Sequence, residues 1–240
     1  MEWPKSRAEL GRLQSRLAAL SPEPFRGGPG LVVGGCFVCF TRDRTGPGYA
    51  GEPGWAAAAV WGSGGTVDAI AIGGAAGAAY EPGYLALREG RLLGRAVVNL
   101  RVRPDVLLVN GSGRDHARRA GLALHLGAVL DIPTVGVTRR PLEARAAEPP
   151  DGRAEAARLM LGGELVGYMV TTRRGARPLA VHAAWRTDPD GAVDIVMAAC
   201  GRSRTPEPIR QARRLARLAR AWCGDPGTSA PPRIPANVLP

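Results

Sequence analysis

Two short apolar segments flank a helical pattern between residues 105 and 138, and this arrangement constrains the fold more than any other part of the chain. DVLLVN and IPTVGVT have the length and apolar character of buried strands, and HARRAGLALHLGAVL between them has the spacing of an amphipathic helix. Successive strands joined through a helix lie parallel in one sheet. The segment therefore predicts a strand–helix–strand unit and a domain of the α/β class.

Further strands and helices are predicted on both sides of this unit. Residues 31–40 form a buried strand, WAAAAVWG and TVDAIAIGG form a hairpin across SGG, and ELVGYMVTT pairs with RPLAVHAAW. Helices are expected in residues 4–20, in the segment that begins at Tyr80, in GAVDIVMAAC and in EPIRQARRLARLARAW. An antiparallel run followed by strand–helix–strand units predicts a mixed β-sheet flanked by helices.

The length of 240 residues suits one domain, which we assign to residues 1–223. Residues 143–158 are polar and rich in Ala, Glu and Pro, and we predict an irregular connection there. Residues 224–240 are rich in Pro and small residues, which favours a disordered tail.

The net charge of +11 and the pI near 10.8 favour an anionic partner, above all nucleic acid. Lys5 is the only lysine; a bias in base composition explains the preference for arginine but not the net charge. No stretch approaches the roughly 20 apolar residues of a membrane span, and the charged N-terminus has no apolar signal core. We therefore expect a cytoplasmic protein, a monomer without membrane contact.

Four cysteines in a chain of this size do not make a disulfide scaffold. Cys36 and Cys39 form a C-x-x-C pair, but both lie in the apolar strand 31–40. Residues three apart on a strand point to opposite faces, so this pair does not predict a zinc site.

Metal-dependent cleavage of a phosphodiester needs two cations about 4 Å apart, held by carboxylates from several elements. The first strand, the helix after Tyr80 and the strand 105–110 could supply them, because such sites gather at the carboxyl ends of strands. Glu89 is a carboxylate in one of these places. Cys36 and Asn110 occupy the other two, and neither carries a carboxylate.

Five segments in order resemble the endonuclease V family, which has a ribonuclease H-like fold. They are LVVGGCF, YEPGYLALRE, DVLLVNGSGRDHARRAGLALHLGAVLDIPTVGVTRRPL, RPLAVHAAWR and TPEPIRQA. The resemblance implies a ribonuclease H-like mixed sheet flanked by helices. It also implies nicking 3′ of inosine or deoxyinosine, a DNA or RNA partner, and Mg²⁺ or Mn²⁺ as cofactor.

The resemblance places six residues at catalytic positions of the family: Cys36, Glu89, Asn110, His116, Arg139 and Trp185. Cys36, Glu89 and Asn110 match metal ligands, and only Glu89 keeps a carboxylate. Trp185 replaces a histidine, Arg139 replaces a lysine, and His116 is kept. The loss of two negative charges weakens a dication site by several kcal/mol, since one close pair contributes about 4 kcal/mol at an effective dielectric constant near 20.

Three nearby acids could compensate for the lost carboxylates. Asp115 follows the glycine-rich turn, but a residue there also suits the N-cap of the next helix. Glu81 precedes Pro82 and could simply be solvated. Asp43 follows the first strand beyond the expected site.

The residues that match the base-binding and wedge segments of the family remain in place. They are Tyr80, Pro82, Gly83, Leu85, Gly111, Ser112 (where the family has a histidine), Gly113, Gly121 and Leu142. Glycine allows backbone N–H groups to approach a base or phosphate closely. Arg118 and Arg119 could contact phosphate or be solvated charges.

Three hypotheses follow. The chain is an inosine-directed nuclease with an altered metal site, a nucleic-acid-binding relative whose cleavage is lost or much weakened, or a scaffold with another ligand. Cys36 and Asn110 favour the second over the first, because charge on the cleavage metals dominates catalysis. The glycines and the charge of +11 disfavour the third.

Overall fold

The computed structural model describes residues 3–41, 45–146 and 156–223. One sheet contains β1 (Val33–Phe40), β2 (Pro53–Gly62), β3 (Gly65–Ala75), β4 (Val106–Val109), β5 (Thr134–Thr138), β6 (Arg145–Ala146), β7 (Ala156–Leu161), β8 (Glu164–Val170) and β9 (Leu179–Ala183). Their order is β3-β2-β1-β4-β5-β9-β8-β7-β6. β1, β4 and β5 are parallel and the other neighbours are antiparallel, which confirms the mixed sheet predicted from the sequence.

Helices cover both faces of this sheet. They are α1 (Arg7–Ala18), α2 (Arg91–Val98), α3 (Leu122–Leu130), α4 (Pro189–Cys200) and α5 (Glu207–Cys223), and a π-helical turn, Ala86–Gly90, leads into α2. Successive side chains of β4 point to opposite faces of the sheet, and they show which helices cover each face. Leu107 and Val109 pack in the core with α1, α2 and α3, whereas Val106 and Leu108 pack in the core with α4.

The helix of the strand–helix–strand unit begins later than predicted. The sequence pattern starts it at His116, but α3 begins at Leu122 with Gly121 as its N-cap. Residues 111–120 instead form turns that follow the end of β4. Their side chains make long-range contacts, described below, that a continuous helix would not allow.

The polar connection contains strands that the sequence did not predict. β7 pairs with β8 through Leu159 and Gly167, and Arg145 and Ala146 of β6 pair with β7. Leu159 is fully buried, whereas Arg158 and Met160 on either side of it are exposed, so one apolar side chain anchors this edge of the sheet. Residues 147–155 of the connection lie outside the described residues, as do Asp43 and the predicted tail 224–240.

The basic helix α5 packs on the sheet through an apolar stripe. Ala212, Leu215 and Ala216 are fully buried against β1, β2 and β3. Arg213 and Arg217 project from the same helix, and Arg217 is exposed. None of the helices within the described part of the chain has the length and apolar character needed to cross a membrane.

Candidate functional site

A cavity of about 280 Å³ opens where β4 and β5 end. It brings together most of the residues that the sequence pointed to. Tyr80, Pro82, Gly83, Leu85, Gly111, Ser112 and Leu142 line it from the base-binding set, and Asn110, His116 and Arg139 from the catalytic set. Such convergence from four separate segments is expected at the carboxyl edge of parallel strands.

Two large apolar side chains are exposed at the mouth of this cavity. The Tyr80 side chain is 52% exposed and the Leu142 side chain 49% exposed. Large exposed apolar side chains at a cavity mouth mark a binding surface, and an aromatic ring among them can stack on a nucleobase. Gly83 has φ +78°, a backbone conformation that side chains rarely adopt, so glycine permits the bend beside Tyr80.

The turn after β4 is held by backbone hydrogen bonds. Gly121 N donates to Gly113 O at 2.8 Å, and Ala123 N donates to Ser112 O at 2.9 Å. A Cβ atom on Gly113 would collide with the carbonyl oxygen of Ala183, in β9. Gly113 and Gly121 therefore stabilise the turn on the side away from the cavity, whereas Gly111 and Ser112 line the cavity.

His116 connects this turn to the segment that carries Tyr80. Its Nδ1 accepts from Arg118 N at 3.0 Å, which leaves Nε2–H to donate to Gly83 O at 3.1 Å. Burial lowers the pKa of His116, and the nearby Arg118 acts in the same direction. The imidazole is neutral and both of its nitrogens are hydrogen-bonded. It therefore holds the turn after β4 against the Gly83 segment of the cavity wall.

Arg118 and Arg119 are engaged inside the protein. The Arg118 guanidinium lies 4.5 Å from the centre of the Tyr84 ring and donates to the Tyr84 hydroxyl and to Gln14 Oε1. Arg119 donates to Leu161 O at 2.6 Å. Both side chains are half-buried and brace the site, so neither is a freely solvated charge, and a contact with phosphate stays a prediction.

Asp115 is not the N-cap of α3. It is fully buried, and its carboxylate accepts the backbone N–H groups of Leu142, Glu143 and Ala144 at 2.7–2.8 Å. These three donors belong to the loop after β5, which forms one wall of the cavity. Because the carboxylate already accepts three hydrogen bonds, it is not available as a replacement metal ligand.

Glu81 forms an ion pair with Arg7 of α1 at 2.5 Å. Its side chain lines the cavity and remains about one-third exposed. Glu81 thus neutralises a neighbouring arginine and does not join the other acids of the site.

Cys36 lies on β1, Glu89 in the π-helical turn before α2, and Asn110 directly after β4; of these three residues, only Asn110 lines the cavity. Cys36 pairs with Val109 in the parallel register of β1 and β4, so Asn110 follows directly beside it. Burial, and then the charge of Glu89, raises the pKa of the Cys36 thiol far above its usual range. Burial raises the pKa of Glu89 to about 7, although Arg88 acts to lower it.

These three side chains do not fit Mg²⁺ or Mn²⁺. Hard cations require charged oxygen ligands. Cys36 offers a protonated thiol, Asn110 a neutral amide, and Glu89 a carboxyl group that is partly protonated near neutral pH. The described ranges contain no cluster of three or more His, Cys, Asp or Glu side chains able to hold a metal ion.

Comparison with known proteins identifies the family of this chain. The endonuclease V family model matches residues 32–214. The chain belongs to the endonuclease V family. An endonuclease V of Methanopyrus kandleri is 42% identical over 151 residues, which are 63% of this chain and 65% of that relative. The chain thus spans slightly less than two thirds of that endonuclease V.

Solved endonuclease V structures share the fold. That of Streptomyces avermitilis has a TM-score of 0.83 at 30% identity and covers 93% of this chain and 96% of its own. The endonuclease V of Ciona intestinalis, in complex with a 24mer DNA containing an inosine followed by a ribo-adenosine, has a TM-score of 0.73 at 23% identity. The match covers 88% of this chain and 96% of that one, and at this identity it shows the fold alone.

Trp185 lies away from the site, against the expectation from the endonuclease V resemblance. β9 runs antiparallel to β5, with Ala180 opposite Thr138 and Ala183 opposite Val135. Trp185 therefore lies near the start of β5, where its backbone N–H donates to Thr134 Oγ1 at 3.1 Å. The cavity lies at the opposite end of that strand, so the ring is part of the packing under α3.

Two arginines of the site were missed by the sequence reasoning. A second cavity of about 40 Å³ adjoins the same edge, and Arg204 and Arg213 line it together with Asn110, Thr138 and Arg139. Ile209 and Arg213 lie one helical turn apart on α5, and Ile209 is buried. For Arg213, this spacing was a signal that the sequence offered, because residues four positions apart on a helix lie on the same face.

Proposed function

We propose that this endonuclease V family member binds single-stranded DNA or RNA that carries a deaminated base, and that its metal-dependent cleavage is lost or much weakened. The observation that carries the proposal is a contrast between two parts of the site. The cavity has the size of a base, whereas two of the three positions that match the family's metal ligands hold Cys36 and Asn110 instead of carboxylates.

The size and rim of the larger cavity support base binding. Its volume of about 280 Å³ lies at the lower end of small-molecule sites, which suits a single base better than a longer segment. The exposed Tyr80 ring offers a stacking surface. Gly111 and Ser112 lie at the cavity. The Gly111 N–H and the Ser112 carbonyl are hydrogen-bonded within the protein, so the other polar groups of Ser112 are those that can reach a base edge.

Charge supports a nucleic-acid partner. The net charge of +11 favours the polyanionic backbone of a strand, and it predicts affinity that falls steeply with salt. Arg139 and Arg140 line the cavity, and both side chains are exposed. They can reach a phosphate group next to a bound base.

Loss of cleavage follows from the ligands. The attacking and leaving oxygens of a phosphodiester are stabilised by the charge of two cations in this class of reaction. Glu89 is the one acid at the three positions, and burial raises its pKa to about 7 when no cation is bound.

One titration series tests the proposal. The probes are labelled single strands with inosine or adenosine at one position, a comparison suggested by the inosine-containing DNA of the Ciona intestinalis complex. Binding and nicking are measured with Mg²⁺, with Mn²⁺ and with a chelator. We expect inosine-dependent binding in all three conditions and no nicking.

Tyr80→Ala provides the site variant. We expect it to weaken binding by about tenfold, since base stacking contributes about 1–3 kcal/mol. Trp222→Ala, which removes an exposed aromatic ring from the end of α5, should leave binding unchanged. Metal-dependent nicking that Glu89→Gln abolishes would show that the nuclease is active. Equal weak binding of every strand would favour a scaffold with another ligand.

A further inference from the structure

The smaller cavity is built almost entirely from cationic and neutral groups. Arg139, Arg204 and Arg213 line it with Asn110, Thr138 and Thr205, above the apolar side chains of Val137, Leu179 and Ile209. Asn110, Thr138 and Arg139 also line the larger cavity. The two cavities therefore share one wall, which is the end of β4 and β5.

Within the described part of the chain, no acidic side chain forms a salt bridge with these three arginines. Neutral groups position two of them instead. Arg204 donates from Nε to Arg177 O at 2.5 Å and from a terminal nitrogen to Pro178 O at 2.8 Å. The Arg213 guanidinium lies 5.0 Å from the centre of the Phe37 ring.

The three guanidinium groups repel one another. Burial, and then the charges of Arg139 and Arg177, lower the pKa of Arg204. Burial, and then Arg217, Arg139 and Arg204, lower the pKa of Arg213. A bound anion would convert this repulsion into attraction, and arginine is the side chain best suited to grip phosphate oxygens through several N–H groups.

We infer that Arg139, Arg204 and Arg213, with the Asn110 amide, form an oxyanion site that holds one backbone phosphate of the bound strand directly, without a bridging metal ion. A volume of about 40 Å³ admits a few water molecules, hence a phosphate group but not a base. The shared wall places this phosphate next to a base in the larger cavity. The inference rests on the proposed function in one respect, which is that the ligand is a nucleic-acid strand.

The first test measures the salt dependence of strand binding in the presence of a chelator. Arg139→Gln and Arg213→Gln should each weaken binding about tenfold and reduce the slope of log K against log salt by about one, as for a lost phosphate contact. Arg12→Gln, an exposed arginine on α1, is the matched control and should change neither quantity. Neither site variant should unfold at a lower temperature than wild type, because no carboxylate loses a partner and one of three mutually repelling charges is removed.

The second test locates the phosphate. A single uncharged methylphosphonate linkage is moved along the strand, one linkage at a time. Wild-type protein and Arg12→Gln should lose about tenfold in affinity at one linkage near the inosine. Arg213→Gln should show no further loss at that linkage, because its contact is already absent. Equal losses at every linkage, or additive losses in Arg213→Gln, would overturn the inference.

The remaining arms separate this inference from the proposed function and from free phosphate. If inosine is not preferred but the linkage effect persists on an adenosine strand, the base proposal fails and the oxyanion site stands. Inorganic phosphate is titrated alone during thermal unfolding of wild type and Arg213→Gln. Protection of wild type by phosphate, without any linkage effect, would mean that the site takes free phosphate and would refute the strand phosphate.

Discussion

Asp115 Oδ2 lies 3.4 Å from His182 Nδ1, and both side chains are fully buried. His182 Nε2 lies 2.9 Å from Thr138 Oγ1, which donates to Arg140 O at 2.7 Å. The chain of contacts runs from the turn after β4, through β9, to the loop after β5. This buried network connects two walls of the candidate site that are far apart in sequence.

Replacing Asp115 should loosen the loop after β5. Asp115→Asn retains the size of the side chain but loses acceptor capacity for three backbone N–H groups. We expect a loss of about 2–3 kcal/mol in the free energy of unfolding and weaker inosine binding. Urea denaturation measures the first and strand titration the second. Asp131→Asn, an exposed C-cap residue with φ +50°, is the matched control, and equal effects in both variants would contradict the role of Asp115.

Two buried histidines should make stability depend on pH. Burial lowers the pKa of His125 and of His182 to about 4, from 6.5 for an ordinary histidine. The unfolded chain therefore binds protons first, so this stabilisation is present above pH 6.5 and is lost as the pH falls towards 4. We expect a loss of up to about 3 kcal/mol per histidine, measured by urea denaturation between pH 7 and pH 4.

His125→Phe separates the two contributions. The His125 ring stacks on Trp3 with ring centres 5.1 Å apart, so phenylalanine preserves the packing without the titrating group. The variant should lose less stability than wild type over this pH range. Trp3→Phe keeps the histidine and should retain the wild-type pH dependence. An unchanged slope in His125→Phe would exclude this histidine as a source.

Glu89 should make stability depend on pH in the opposite direction to the two histidines. Burial raises the pKa of Glu89 to about 7, from 4.5, so its contribution is present below pH 4.5 and is lost as the pH rises through 7. Glu89→Gln should therefore be more stable than wild type at pH 8 by about 2 kcal/mol and nearly equal at pH 4. Thermal unfolding at the two pH values measures the difference. Glu23→Gln changes an exposed glutamate and should shift neither value.

Restoring the acids should restore a cation site. Wild-type protein should show no change of unfolding temperature with Mg²⁺, whereas the double variant Cys36→Asp/Asn110→Asp should be stabilised progressively by Mg²⁺. Asn99→Asp adds one carboxylate at the end of α2 and should remain insensitive to Mg²⁺. Stabilisation of wild type by Mg²⁺ at the same concentrations would mean that the present side chains already hold the ion.

Local patterns predicted much of this molecule. The apolar segments around Leu107 and Val135 became parallel strands because their hydrophobicity decides burial. The position of Asn110 at the site followed from the rule that parallel strands end at one edge, whereas that of Gly111 followed from the endonuclease V resemblance. β7 was not predicted, because Leu159 is its one buried side chain and AARLML lacks the alternation of apolar and polar residues that marks a half-buried strand.

Pairings across the chain were not predictable in this way. Asp115 as an N-cap was a reasonable local interpretation, but a fully buried carboxylate needs several donors, and these came from Leu142, Glu143 and Ala144. Trp185 lies at the edge of the sheet opposite the cavity, and not at the site as expected, because β9 runs antiparallel to β5. Neither outcome depends on residues adjacent in sequence.

The sequence by itself determined the α/β class through local hydrophobicity, and the family through the resemblance of five segments. Residue identity alone showed that positions 36 and 110 carry no carboxylate. Only the tertiary structure decided that Arg139 and Arg213, 74 positions apart, face one cavity beside Asn110. The physical reason is that sheet register and helix packing place side chains in space, and both are determined by contacts between distant segments.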